Sequence, residues 1–237
     1  MALPDLPTSS ASLSYSDLLS HFGNADYTPH NLSDYYGAES EDWSDPEEPT
    51  SGSSGRIVIY YRPRWTSTSY RGDFQIDSIN IDYSDLSGAY TFNGSNDGWQ
   101  YKSWNSSYKN SQASVASSYS NSDSWTSIYT SSSSQRFNRR QGSTPSSSTG
   151  VSNLGSYYIY AETSGSLQGL YGARSPVFTI GSGSNNLILR FASYGSNCGP
   201  CYFYWMPTDN LNKTLMYTHS QINTTTIQTP TVSFTAP

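Results

Sequence analysis

The residues of this 237-residue chain that could do covalent, acid–base or metal chemistry are two cysteines, three histidines and a run of aspartates. Cys198-Gly199-Pro200-Cys201 has the spacing of a redox dithiol, whose thiolate needs a helix N-terminus to stabilise it. Tyr202-Phe203-Tyr204-Trp205 follows and reads as a strand, so the pair is expected in the turn of a hairpin, inert whether free or oxidised. A zinc site would need a second pair of ligands, which the sequence lacks. His21, His30 and His219 have no partner evident from spacing, and GxSxG, HExxH and GxxxxGK are all missing. Paired carboxylates of the glycosidase kind are the one hydrolytic arrangement left open. Asp73, Asp77, Asp82 and Asp85 crowd one stretch and could offer oxygens to Ca²⁺, Asp73 and Asp77 foremost, but strand alternation scatters them. The expectation is a protein that is not an enzyme and carries no cofactor.

Aromatic side chains are the other chemical resource. Hydrophobic residues make up only 34% of the chain, yet it holds 21 Tyr, 8 Phe and 6 Trp, so its apolar area is concentrated in rings. Trp65, Trp99, Trp104 and Trp125 lie in or near expected loops and are the candidates for stacking on sugar rings. The competing role for each is core or subunit packing.

Charge divides the chain. Up to Gly55 there are ten acids and no Lys or Arg, while 12 basic and 8 acidic residues follow, so the net −6 separates into −10 and +4. Arg136, Arg139 and Arg140 form the only tight basic cluster and read as solvated loop charge, too little to argue nucleic-acid binding. No run of about 18 apolar residues exists, so no membrane insertion by a helix is expected. The opening residues MALPDLPTSSASLS lack the basic and apolar regions of a signal peptide. A route outside the cell would then be something other than secretion, such as release within an assembled virus particle.

These residues need elements to position them. Leu13 to Gly23 has a Ser cap, Leu18, Leu19 and Phe22 at helical spacing, and a terminating Gly; Leu32 to Gly37 repeats the plan with Tyr35 and Tyr36. Helices this short must dock to persist. Residues 1–37 are therefore expected to be a small helical module, and 38–55, with six acids and a Gly/Ser run, a solvated linker in which Trp43 seeks a neighbour. From Arg56 the pattern is β. Ile57, Ile59 and Tyr61 alternate with Val58 and Tyr60, a strand with two demanding faces that Pro63 ends. Phe74 and Ile76 share one parity and Ile79 and Ile81 the other, so a bulge is expected at Asp77-Ser78. Further strands are expected at 156–162, 176–180, 186–193, 201–206 and 214–219, with one or two weak ones inside the Ser/Asn-rich stretch 103–150. Residues 56–237 thus read as an antiparallel β-sandwich, all-β in class.

Two stretches resemble parts of the MAM domain, an extracellular jelly-roll sandwich. RIVIYYRPRWTSTSYRGDFQIDSINID (56–82) is similar to its closing strand pair. YTFNGSNDGW, TPSSSTG, GSYYIYAETSG, ARSPVF and LILRFASYGSNCGPCYFYW, in order through 90–206, are similar to its opening and middle. The end precedes the beginning, and the disulfide-forming cysteines of the animal domains are missing at the expected places. The resemblance implies a rotated sandwich whose N-terminal hairpin inserts among strands more than a hundred residues later, in this chain or in a neighbouring subunit. It also implies that Asp73 of Arg71-Gly72-Asp73 belongs to a strand start and fixes turn geometry. The LSYSDL…FG and NLSDYYG pair resembles a short N-terminal module of tailed-phage virion proteins. Together these imply a virion structural protein, homo-oligomeric and bound to other virion proteins through Leu13, Leu18, Leu19, Phe22, Leu32, Tyr35 and Tyr36. Its sandwich would be displayed on the particle exterior. The alternative is a host-adhesion module for surface polysaccharide.

Overall fold

The computed structural model describes residues 52–63, 73–82, 84, 89–104, 112–131, 136–142, 157–162, 169–194, 199–209, 211, 213–220 and 224–236. The seven anchoring side chains, Trp43, Trp65, Asp85 and Cys198 lie outside them. The described residues form two antiparallel sheets packed face to face, the all-β sandwich expected.

The first sheet contains β1 (Ser53–Tyr61), β3 (Gln100–Trp104), β4 (Thr126–Ser127), β7 (Leu170–Arg174), β8 (Phe178–Ile180), β10 (Cys201–Pro207) and β11 (Thr214–His219). Its order is β11-β10-β1-β7-β3-β4, with β8 pairing the start of β1. The second sheet contains β2 (Asp73–Ile81), β5 (Arg136–Arg140), β6 (Tyr158–Glu162), β9 (Gly183–Tyr194), β12 (Thr224–Gln228) and β13 (Thr231–Ala236). Its order is β12-β9-β2-β6-β5, with β13 also on β9.

The first two strands do not form a hairpin. β1 enters the first sheet between β10 and β7, with Ile57 opposite Trp205 and Tyr60 opposite both Tyr202 and Gly172. β2 enters the second sheet between β9 and β6. The N-terminal strands are therefore central strands of different sheets, which explains why Ile57 to Tyr61 is apolar on both faces. Ile57, Ile59 and Tyr61 fill the main core, while Val58 and Tyr60 face a second cluster on the outside of the sheet. The strand also begins earlier than expected. Ser53, Ser54 and Gly55 of the Gly/Ser run pair with Ile180, Thr179 and Phe178. A Cβ on Gly55 would meet the Trp205 ring at 2.6 Å, so only glycine lets that ring lie across the strand.

The bulge falls where the parity of β2 slips. Ile76 pairs with Phe191 and Ser78 with Arg190, leaving Asp77 unpaired in the ladder. The extra residue lets Phe74 and Ile76 before it, and Ile79 and Ile81 after it, all face the core. Beyond β2 the chain folds back, and Tyr90 and Ile79 exchange both backbone hydrogen bonds (2.8 and 3.1 Å).

Three further expectations are corrected. β9 and β10 belong to different sheets, so the segment holding the CGPC sequence crosses the sandwich instead of closing a hairpin. The Ser/Asn-rich stretch holds the weak strands β4 and β5 but also a helix, α1 (Gln112–Ser118). Seven residues cannot sustain a helix in water; Val115 and Ala116 hold this one by docking on the outer face of the first sheet. Arg136, Arg139 and Arg140 lie on β5 and are not free loop charge. The Arg136 guanidinium sits 4.2 Å from the Tyr129 ring centroid, and Arg139 donates to the Phe92 and Asn93 carbonyls at 2.7 and 2.9 Å. The Phe92 carbonyl needs this hold, because Phe92 is fully buried at φ 59°, a conformation bulky side chains rarely adopt. Its N–H is held as well, by the Asp97 carboxylate at 2.8 Å.

Candidate functional site

Among the described residues, a grouping of chemically able side chains lies on the outer face of the first sheet. In an antiparallel sheet alternate residues share a face, and the register aligns them in rows. One row runs Tyr202, Tyr60, Gly172, Lys102; the next runs Tyr204, Val58, Arg174, Gln100. Trp104 at the end of β3 and Trp125 just before β4 close over these rows, and α1 with Tyr119 covers one side.

The two tryptophans meet edge to face, with centroids 5.8 Å apart and planes at 80°. Tyr60 lies 5.7 Å from Trp104 and 5.9 Å from Tyr204, and Tyr119 lies 6.1 Å from Trp125. Gly172 is the floor of this group. A Cβ there would come within 2.8 Å of Trp104 and 2.9 Å of Trp125, so the rings settle onto the sheet because β7 has no side chain at that point.

Cations border the rings. Lys102 Nζ lies 5.5 Å from the Trp104 centroid, Arg174 Cζ 4.9 Å from Trp125, and Lys213 Nζ 5.9 Å from Tyr119. Each contact uses the negative face of a ring. The cations also tie the segment to the sheet. Arg174 donates to Gln100 Oε1 at 2.9 Å, to Tyr119 Oη at 3.4 Å and to the Asn121 and Asp123 carbonyls at 3.3 and 3.4 Å. Lys213 donates to the Ser117 and Tyr119 carbonyls, both at 2.9 Å, at the C-terminal end of α1, where a cation also suits the helix dipole. Asn121 accepts from Arg56 Nε at 3.2 Å and donates to the Pro207 carbonyl at 2.9 Å. Burial, and then the neighbouring Arg174 charge, lowers the Arg56 pKa, while burial raises those of Tyr60 and Tyr119. Such a face can pack, stack and donate hydrogen bonds.

The tryptophan candidates separate on this geometry. Trp104 and Trp125 come together, half-buried, each with a cation over its ring. Trp99 is fully buried in the main core, edge-on to Tyr90 and Phe92 at 5.5 and 5.8 Å, and offers no face to a ligand. The aspartates separate too. Asp73 opens β2 and is fully buried, Asp77 at the bulge pairs with Arg190, and Asp82 accepts from Asn186 Nδ2 at 2.6 Å. Among the described residues no group of three or more His, Cys, Asp and Glu is gathered as a metal cage.

One pairing was invisible in the sequence. His219 Nε2 and Ser193 Oγ are 3.0 Å apart, a geometry that in a cleft would suggest an activated nucleophile. Here the two residues are 2% and 1% exposed, and His219 packs on Phe191 at 4.6 Å and Phe74 at 5.8 Å. Ser193 is on β9 and His219 on β11, so the contact ties the two sheets across the core. Burial pushes the His219 pKa down from 6.5 to about 4. Twenty-six residues separate the partners, and only the stacking of the sheets joins them. Cys201, at the start of β10, is fully buried in the main core.

No family model matches the chain, and no curated protein matches it.

Proposed function

We propose that this chain is a non-enzymatic structural protein of a tailed-phage particle, held through residues 1–37 and presenting its sandwich on the particle exterior. The observation that carries the reading is the position of β1. The strand that follows the acidic linker is hydrogen-bonded on one side to β10 and on the other to β8 and β7. A pull on the chain ahead of Ser53 therefore has to break pairing on both sides of β1, whereas an edge strand is held on one side alone. That suits a displayed domain whose tether enters at its N-terminal end. The rotated, MAM-like jelly roll belongs to the same proposal; its support is that β1 and β2 sit among strands drawn from residues 158–207.

The aromatic face fits a packing role. To stack on a polysaccharide, Trp104 and Trp125 would have to give up Lys102 and Arg174. Deleting residues 1–37 tests the anchor. The truncated protein should keep its β-sheet circular dichroism and be lost from purified particles. Full occupancy of particles by the truncated form would overturn the assignment.

A further inference from the structure

The two flanks of the sandwich are finished differently. On one flank the first sheet ends in β4, only two residues long. The second sheet ends there in β5, whose outer edge is already taken: the Arg139 N–H donates to the Tyr129 carbonyl at 3.1 Å and the Ser131 N–H to the Arg139 carbonyl at 3.3 Å. Short strands and covered edges are how proteins prevent edge-to-edge pairing.

The other flank presents longer edges. β11 is bonded on one side to β10, with a bulge at Phe203/Tyr204, and β12 and then β13 are bonded on one side to β9. Among the described residues no backbone hydrogen bond reaches 215–219 or 231–236 from the opposite side. Neither strand contains Lys, Arg or Pro. Leu215 on β11 is 48% exposed and Leu211 just before it 62%. The two strands run side by side, with Cα atoms within 8 Å of each other.

We propose that the β11/β13 flank is a self-association surface on which a second copy of this chain adds its own β11 and β13, edge to edge, about a two-fold axis normal to the sheets. A single open edge accepts any extended segment, but two neighbouring open edges at a fixed separation select a body presenting the same pair at the same separation. A second copy does so by construction. An antiparallel strand edge is self-complementary under a two-fold rotation, so β11 meets β11 and β13 meets β13, and both sheets continue across the interface. The inference goes beyond the virion reading and needs no particle for its test, so the two fail separately.

The test is the mass of the full chain by light scattering and sedimentation at micromolar concentration. The unaltered protein should show twice 26.1 kDa. Leu215→Glu/Thr218→Glu on β11, and separately Thr231→Glu/Thr235→Glu on β13, place like charges across the axis at exposed positions. Each pair should weaken the dimer at least about tenfold with unchanged circular dichroism. A monomeric parent protein, a trimer, a dimer that both variants leave intact, or one weakened by only one of them would overturn the paired-edge geometry.

Discussion

Acid should unfold this sandwich partly through one imidazole. His219 is 2% exposed between Phe74 and Phe191, and burial lowers its pKa to about 4 from 6.5. The folded state therefore keeps the ring neutral down to about pH 4, while the unfolded chain protonates it below pH 6.5. Between those values the unfolded state binds one more proton, so stability falls as pH falls, at about 1.4 kcal/mol per pH unit. Across the window the loss is about 3 kcal/mol, a large share of the roughly 5–15 kcal/mol that holds a domain together. The assay is urea unfolding at several pH values between 7 and 4, comparing the parent with His219→Gln. The glutamine can still reach Ser193 but cannot titrate. His21, His30 and every carboxylate are common to both proteins, so their titration cancels in the difference. The parent's advantage over the variant should shrink by about 3 kcal/mol from pH 7 to pH 4. A difference that stays level across that range would refute the burial argument.

Three further expectations follow from the packing. Gly172→Val should cost about 1–3 kcal/mol and shift tryptophan fluorescence, because the new side chain meets Trp104 and Trp125 at under 3 Å; unchanged stability would mean that the rings do not rest on β7. Ile59→Ala should cost about 2–5 kcal/mol in chemical unfolding, whereas Ile188→Thr, at a 38% exposed position, should fall within about 0.5 kcal/mol. In a Cys198→Ser variant, Cys201 should react with a thiol reagent only as fast as the protein unfolds, since its sulfur is buried in the main core; fast labelling of the native state would contradict that burial.

The readable parts of this fold are those where a local pattern has one physical meaning. The parity slip between Ile76 and Ile79 can only be a bulge if all four apolar residues are to face one core, and Asp77 is found there. Residues 214–219 were bounded correctly as a strand, and the apolar runs around 186–193 and 201–206 agree within three residues at either end. The misses include β12 and β13 at the C-terminal end and the elements whose residues are ordinary until something packs on them. β3 and β7 carry Gly, Ser, Lys and Gln among their rings, and α1 is built of Gln, Ser, Ala and Val. Their stability comes from packing against the main core and on the outer face of the first sheet, which no window of sequence contains. Arg136 and Arg139 looked like free charge because the carbonyls and rings they hold come from other segments.

By itself the sequence determined class and the double-faced character of Ile57 to Tyr61, because side-chain alternation and burial are local demands. Tertiary structure alone decided which sheet each strand joins. It sent β1 and β2 to opposite layers, turned the CGPC segment into a crossing, brought His219 to Ser193 and set Trp104 against Trp125 over a glycine. Pairing depends on which backbone edges meet when the core closes. That choice is made by the whole chain at once.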